Sequence, residues 1–268
     1  MSAIQQMFLS GGGGDTTLIE AITLAGLTTN LQLCLDAGDP VSYASGTKWL
    51  DRSGGGYDFF LGSDGSGTSD PTFVGSIGSP AAYWTGPSGY FTYDTTNEAW
   101  MNNLHKNNAA FTCIHFMYQA GTFPVAFGTD GGTDAGIGVE FQTATSPRIA
   151  VAKGSAGYAL VAIGDTTPSA NAYHMVGVSL NEATGAGGGF IYTDGAYNKV
   201  GGADTFNSTY TSPSAAAATY AMNVGAYGGG SGNLGATERL VAIAIWSSAL
   251  TKANMDAIWS AMRGRFGI

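Results

Sequence analysis

Alternation of apolar and polar positions is the dominant pattern of the chain from residue 31 onward. Leu31, Leu33 and Leu35 fall on one side of an extended chain and the residues between them on the other, as expected for a half-buried strand. Further segments of this kind, each bounded by turn residues, lie at 111–118, 125–127, 138–141, 148–152, 173–180, 189–194, 221–226 and 239–246. Because most of these segments follow one another without a helix between them, the pattern predicts an all-β fold, an antiparallel β-sandwich.

Two turn signals predict hairpins within this sandwich. The Gly-Pro-Ser-Gly sequence at 86–89 separates apolar segments at 83–84 and 90–93, and such a sequence favours a tight turn between paired strands. A Gly-rich stretch likewise separates the segments 173–180 and 189–194. We therefore expect each pair of segments to form an antiparallel hairpin.

One segment has helical periodicity, and it lies at the end of the chain. Thr251 is a suitable N-cap residue. The apolar residues Met255, Ile258, Trp259 and Met262 follow it at helical spacing. They form one apolar stripe, so the sequence predicts a single short C-terminal helix.

The first thirty residues differ from the rest of the chain. Gly11 to Gly14 are four consecutive glycines, which are costly in backbone entropy to order and therefore indicate a hinge. We interpret residues 1–30 as an N-terminal arm for assembly or docking, separate from a domain of residues 31–268. A frayed terminus is the alternative. An apolar arm on a hinge favours a homo-oligomer, in which another subunit covers the arm.

Three segments resemble one known fold family in the right order. The opening segment of that family is similar to LQLCLDAGDP at 31–40 with KWLDRSG at 48–54. The family's hairpin is similar to YHMVGVSL at 173–180 with FIYTDG at 190–195. Its closing segment is similar to LVAIAIWSSALT at 240–251. The family is that of laminin-G-like, concanavalin-A-like jelly rolls. This resemblance covers about residues 31–268 and implies a jelly-roll sandwich with carbohydrate-binding and glucanase relatives.

Composition and charge narrow the classes of partner. The formal net charge is -9, and only 11% of residues are charged. A nucleic-acid-binding protein needs a basic stripe, whereas the ten Lys and Arg residues are scattered. No apolar run reaches the ~20 residues of a membrane helix. We therefore expect neither nucleic-acid binding nor membrane insertion, and we expect Cys34 and Cys113 to be buried free thiols rather than a disulfide.

A looser resemblance concerns the overall style of the chain. The chain resembles tailed-bacteriophage virion proteins in its short apolar start, its Gly run, its jelly roll and its very low charge content. Residues 1–10 lack the basic start and apolar stretch of a signal peptide. The resemblance implies a protein made in the host cytoplasm and incorporated into the virion, with capsid or tail subunits as partners.

Candidate catalytic residues are sparse. The glucanase relatives use a Glu-x-Asp-x-x-Glu strand, because a retaining mechanism needs two carboxyl groups about 5 Å apart. Glu occurs here only at positions 20, 98, 140, 182 and 238, and none has that spacing. We therefore predict a protein that is not an enzyme and has no catalytic residues or organic cofactor.

Candidate binding residues lie in the loops. Asp130 and Asp134 flank a Gly-Gly-Thr sequence and offer oxygen ligands for calcium, although Asp beside Gly is more often a turn former. Four tyrosines in or beside Gly-rich loops offer rings for stacking on sugars or for packing against another subunit. They are Tyr158, Tyr197, Tyr210 and Tyr227.

Three functions follow from these patterns. The first is a non-enzymatic virion structural protein, a capsid decoration or tail component docked through its N-terminal arm. The alternative is a carbohydrate-binding adhesin that contacts host-surface glycans through its loops. A glycoside hydrolase is the least favoured.

Overall fold

The computed structural model describes residues 16–63, 67, 69–93, 96–120, 124–132, 134–142, 146–154, 157–185, 187–206 and 210–268. Within these residues the chain forms sixteen strands: β1 (Leu31–Asp36), β2 (Lys48–Trp49), β3 (Phe59–Leu61), β4 (Thr72–Val74), β5 (Tyr83–Thr85), β6 (Phe91–Thr92), β7 (Ala110–Gln119), β8 (Val125–Gly128), β9 (Gly136–Gln142), β10 (Ser146–Ala152), β11 (Tyr158–Ile163), β12 (Ala172–Asn181), β13 (Gly189–Thr193), β14 (Ala196–Asn198), β15 (Asn223–Val224) and β16 (Arg239–Trp246). The same residues form three α-helices: α1 (Leu18–Leu24), α2 (Ala99–Asn103) and α3 (Lys252–Met262).

The strands assemble into two antiparallel sheets packed face to face. Sheet A has the order β14-β13-β12-β7-β16-β5-β4, and β1 also pairs with β16. Sheet B has the order β11-β10-β9-β8-β15-β6-β3-β2. The predicted all-β antiparallel sandwich with a short C-terminal helix is confirmed, and so is the β12–β13 hairpin.

Aromatic side chains fill the space between the sheets. Trp84 of sheet A is fully buried, with its ring centroid 5.0 Å from that of Phe91 in sheet B and 5.7 Å from that of Trp49. This contact explains why the predicted hairpin around residues 86–89 is wrong. Both Trp84 and Phe91 face the interior from opposite sheets, so the turn between β5 and β6 carries the chain across the sandwich.

Helices α1 and α3 cover the outer face of sheet A. Met255 of α3 packs directly on Gly177 of β12: a Cβ at that position would lie 2.7 Å from the Met255 sulfur. Thr251 caps α3 by accepting a hydrogen bond from the Asn254 amide, as its position in the sequence predicts. Within the described ranges, no helix combines the length and apolar character needed to span a membrane.

The described part of the predicted arm belongs to the folded domain. Leu18, Ala21 and Ile22 of α1 are buried in the same apolar cluster as Trp246 of β16. The indole nitrogen of Trp246 also donates a hydrogen bond to the Leu27 carbonyl at 2.7 Å. Residues 18–27 are thus a covering element of sheet A and not a free arm, which corrects the interpretation of residues 1–30 for this part. Residues 1–15 lie outside the described residues.

The two cysteines are buried free thiols, as expected. Cys34 of β1 belongs to the apolar cluster beneath the helices, whereas Cys113 of β7 faces the core between the sheets. Because they project from opposite faces of sheet A, they cannot approach each other within disulfide distance. Burial raises the pKa of both thiols well above its ordinary value.

Candidate functional site

Asp130, Tyr158 and Tyr227, three of the residues singled out from the sequence, lie together on the outer face of sheet B. Asp130 follows β8, Tyr158 begins β11, and Tyr227 follows β15. The pairing of β8 with both β9 and β15, and of β10 with β9 and β11, brings these distant segments together.

Two further charged residues, which sequence analysis did not single out as a pair, complete this face. Glu140 of β9 and Arg148 of β10 are cross-strand partners and form an ion pair. Burial raises the pKa of Asp130 to about 7; repulsion from Glu140 adds to this shift, and attraction to Arg148 opposes it. Among the described residues, Oδ1 of Asp130 and Nε of Arg148 have no hydrogen-bond partner. We call the side chains of Asp130, Glu140 and Arg148 the Asp130 cluster.

Tyr227 packs onto this cluster. A Cβ at Gly138 would lie 2.9 Å from Cε1 of Tyr227 and 3.2 Å from Oδ1 of Asp130. Only glycine at this position lets the ring lie so close to the sheet. Tyr158 is more accessible, at 37% exposure, and its ring centroid lies 5.2 Å from the guanidinium carbon of Arg148. The face therefore offers one accessible ring above a buried ion pair.

The calcium hypothesis gains no further ligand from the described residues. Asp134 is partly buried, and its Oδ2 would lie 3.1 Å from a Cβ at Gly131 in the same loop. Among the described residues, no three His, Cys, Asp or Glu side chains converge as a metal site would require. Calcium at Asp130 and Asp134 remains a prediction.

Tyr197 and Tyr210 lie apart from the other tyrosines. Tyr197 is on β14 of sheet A, with its ring centroid 5.2 Å from that of Phe190 and 5.8 Å from Nζ of Lys252. Tyr210 is only 8% exposed and donates a hydrogen bond to the Leu104 carbonyl at 3.0 Å. The expectation that Tyr210 is available for stacking on a sugar is therefore wrong, because burial has enclosed its ring.

An open cleft of about 300 Å³ lies at one end of sheet A. Its aromatic and polar lining side chains are Tyr83, Thr85, Tyr118, Asn171, Thr237 and Arg239, and two alanines complete it. We call it the Arg239 cleft. Its volume is at the lower end of the range for small-ligand sites.

Arg239 is held between aromatic rings in this cleft. Its guanidinium carbon lies 4.8 Å from the ring centroid of Tyr83 and 4.4 Å from that of Tyr118, within the range of cation–π attraction. Nη1 donates a hydrogen bond to the Tyr173 hydroxyl at 3.4 Å. That hydrogen bond raises the pKa of Arg239 above its ordinary value, although burial opposes it. The residue is thus a fixed cation at the opening of the cleft.

Backbone hydrogen bonds hold the walls of the cleft in place. The amide of Asn171 donates to the Gln119 carbonyl at 2.7 Å, which fixes the start of β12 beside the end of β7. The Thr85 hydroxyl donates to the Ala236 carbonyl at 3.2 Å, which ties the segment before β16 to β5. The cleft is therefore preformed by the sheet itself.

A larger cavity, of about 460 Å³, lies beside α2. Among the described residues that line it, Trp100 is the only aromatic one, and it is 9% exposed. Its other side chains include Asn103, Lys106 and Asn108. Because its one ring is largely covered, this cavity lacks an accessible surface for stacking. None of the loop residues singled out from the sequence lines either cavity.

The Arg239 cleft is not visible in the sequence. Its residues come from four segments that are far apart in the chain and meet only through strand pairing. Taken alone, Tyr83, Tyr118 and Arg239 are ordinary residues at strand ends. The one local signal was a lone arginine at the start of an otherwise apolar strand, β16.

Comparisons with known proteins identify the fold. No protein-family model matches the chain, and no curated protein sequence matches it. A structure of the binding domain of botulinum neurotoxin DC in complex with SialylT has a TM-score of 0.58 and 10% identity, and the match covers 88% of this chain and 52% of that one. The same domain in complex with rat synaptotagmin II has a TM-score of 0.57 and 8% identity, with the same coverage.

A sialidase has a similar score. Trypanosoma rangeli sialidase in complex with sialic acid has a TM-score of 0.57 and 12% identity, over 88% of this chain and 33% of that one. The chain thus spans about half the length of the neurotoxin binding domain and a third of that of the sialidase. At these identities the likeness is one of fold alone: the chain is an all-β sandwich, as these domains are.

Proposed function

We propose that this protein is a carbohydrate-binding module and that its glycan occupies the Arg239 cleft. The observation that carries the proposal is the pairing of partly exposed tyrosine rings with polar side chains in one preformed cleft. The rings of Tyr83 and Tyr118 offer apolar surface, and Thr85, Asn171 and Thr237 offer hydrogen-bonding groups around them.

Sugar chemistry matches this combination. A pyranose has apolar C–H faces that pack on aromatic rings and a rim of hydroxyl groups that need directional hydrogen bonds. Tyrosine suits the first requirement because its ring is rigid and amphipathic. Hydroxyl and amide side chains suit the second, because they both donate and accept. A volume of about 300 Å³ admits one sugar residue, with the rest of the oligosaccharide outside.

The structural neighbours support the proposal by analogy. The neurotoxin binding domain is described in complex with SialylT, and the sialidase in complex with sialic acid. Fold likeness alone does not carry a function, so the cleft residues are the basis of the proposal. The prediction that the protein is not an enzyme remains a prediction.

The experiment is a glycan-array screen of the full chain with two matched tyrosine variants. Tyr83→Ala removes a ring of the cleft, and Tyr158→Ala removes an accessible ring on sheet B. We expect the wild-type protein and Tyr158→Ala to bind the same glycans. We expect Tyr83→Ala to lose glycan binding, either at an unchanged melting temperature or after correction for its folded fraction. Loss of binding in Tyr158→Ala with retention in Tyr83→Ala would place the site on sheet B, and no binding by the wild type would refute the proposal.

The virion hypothesis concerns assembly and is compatible with glycan binding. It depends on docking through residues 1–30, of which 1–15 lie outside the described residues. Deleting residues 1–15 and measuring the mass in solution by light scattering tests it. A full chain that self-associates beside a monomeric deletion variant would support an assembly role, and two identical monomers would contradict it.

A further inference from the structure

Arg239 differs from most other arginines of the chain in its partners. The chain contains five arginines. Arg52, Arg148 and Arg265 each pair with a carboxylate. Among the described residues, no carboxylate lies within 4.0 Å of Arg239. In a protein of net charge -9, Arg239 is thus a partly buried cation without a carboxylate partner among the described residues.

The surroundings of Arg239 leave its hydrogen-bonding edge available. Tyr83 and Tyr118 contact the guanidinium through their rings, and Tyr173 accepts one hydrogen bond. A guanidinium has five N–H donors in one plane, so the remaining donors need an acceptor from solvent or from a ligand. Among the described residues that line the cleft, no acidic side chain competes for them.

The aromatic contacts also fix the orientation of this edge. Tyr118 packs edge-on against Tyr173, with 5.2 Å between ring centroids, and Tyr173 lies 5.2 Å from Phe266. Phe266 in turn stacks on Phe116 at 5.2 Å. Because each ring is held by the next, the guanidinium is preorganised and loses little side-chain entropy when a ligand binds.

We propose that the glycan bound in the Arg239 cleft is an acidic sugar, whose carboxylate pairs with the free edge of Arg239. The planar, two-oxygen carboxylate matches the guanidinium fork, and such pairs are short and strong. The inference rests on the proposed function and adds the chemical class of the ligand. The sugar ring then lies against the tyrosines and the polar wall of Asn171 and Thr237.

The test compares acidic sugars with matched neutral sugars, titrated by calorimetry or ligand-observed NMR. The probes are methyl β-galacturonide with methyl β-galactoside and methyl β-glucuronide with methyl β-glucoside, pairs in which a carboxylate replaces the C6 hydroxymethyl group. A third pair, 3′-sialyllactose with lactose, adds a whole acidic sugar residue. We expect at least one acidic probe to bind about tenfold more tightly than its neutral partner. We expect this preference to weaken with added salt, because exposed charges are screened.

Arginine variants separate charge recognition from structural support. Arg239→Gln should abolish the preference for the acidic probe, so that its affinities for the acidic and the neutral partner lie within about threefold of each other. Arg239→Lys should retain part of the preference, because it keeps the charge and loses the fork. Arg263→Gln is the matched control, since Arg263 is exposed and outside the cleft, and it should keep the full preference.

The outcomes distinguish this inference from the proposed function. Equal affinities for acidic and neutral partners, or a preference that survives in Arg239→Gln, would overturn the acidic class and leave glycan binding intact. A wild-type protein that binds none of these probes and no glycan on the array would overturn both.

Discussion

The guanidinium of Arg265 and the carboxylate of Asp36 form a bidentate ion pair across 229 residues of sequence, with two N–O distances of 2.7 Å. Their side chains are 1% and 0% exposed. Asp36 also accepts hydrogen bonds from the amides of Leu18 and Gly38, each at 2.8 Å. One buried carboxylate therefore joins the N-terminal helix, the first strand and the C-terminal end of the chain.

Replacing Asp36 should destabilise the fold strongly. In Asp36→Ala, Arg265 is left buried without its counter-charge, and two amides lose their acceptor. Removing one partner of a buried pair costs about 3–5 kcal/mol. We expect a loss of that order in the free energy of unfolding, measured by urea denaturation.

The pair of Arg52 with Asp39 provides the control. Arg52 is 31% exposed, and its Nε lies 2.8 Å from Oδ2 of Asp39. Arg52→Gln should cost less than Asp36→Ala, because Arg52 is 31% exposed to solvent and glutamine can still donate a hydrogen bond to Asp39. Equal losses in the two variants would contradict the clamping role of Asp36.

His115 should make the fold sensitive to acid. It lies between the sheets, 5.8 Å from the ring of Phe141, and neither ring nitrogen has a hydrogen-bond partner among the described residues. Burial lowers its pKa from 6.5 to about 3. Below pH 6.5 the unfolded chain therefore binds a proton that the folded chain does not, and the contribution of His115 to the free energy of unfolding falls by roughly 1.4 kcal/mol per pH unit as the pH drops towards 3.

His115→Leu isolates this contribution. The variant should gain stability relative to the wild type by roughly 1.4 kcal/mol per pH unit as the pH falls from 6.5 towards 3, and it should be at least as stable as the wild type at pH 7.5 because an unsatisfied polar ring is gone from the core. Urea denaturation of both proteins at several pH values measures the difference. A difference that does not change with pH would contradict the pKa assigned to His115.

Asp130 should have the opposite effect over part of the same range. Its pKa rises from 3.8 in the unfolded chain to about 7 in the fold. The folded state therefore keeps a proton that the unfolded state loses, and its stabilising contribution disappears as the pH rises from about 4 to 7. Between pH 4 and 6.5 this slope opposes that of His115, so the wild type should show a flatter profile than either variant.

Asp130→Asn removes the Asp130 slope. The amide resembles the protonated carboxyl group in shape and does not titrate. Relative to the wild type, the variant should gain stability steadily from pH 4 to pH 7, measured by the same denaturation series. A constant offset across this range would show that Asp130 is ionised in the folded protein.

The sequence predicted the elements whose signals are local. Strands β12 and β13 alternate and flank a Gly-rich turn, and α3 has both a cap and an apolar stripe. The hairpin at residues 83–93 failed because a turn signal does not say which sheet receives the next strand. The contact between the rings of Trp84 and Phe91 across the core favours placing the two strands in opposite sheets.

The candidate site was predictable only in part. Asp130, Tyr158 and Tyr227 were chosen for their Gly-rich surroundings, and the structure brings them to one face of sheet B, but it covers much of them. The Arg239 cleft depends on the pairing of β16 with β5 and β7. No local pattern specifies these long-range contacts, so Tyr83 and Arg239 could not be linked in advance.

Mapping the bound glycan onto the structure shows whether it occupies the Arg239 cleft. The best ligand from the array would be titrated into ¹⁵N-labelled protein while backbone amide resonances are followed. We expect the largest shifts at Thr85, Tyr118, Asn171, Thr237 and Arg239. Shifts confined to Tyr158 and Tyr227 on sheet B, with the cleft unchanged, would contradict it.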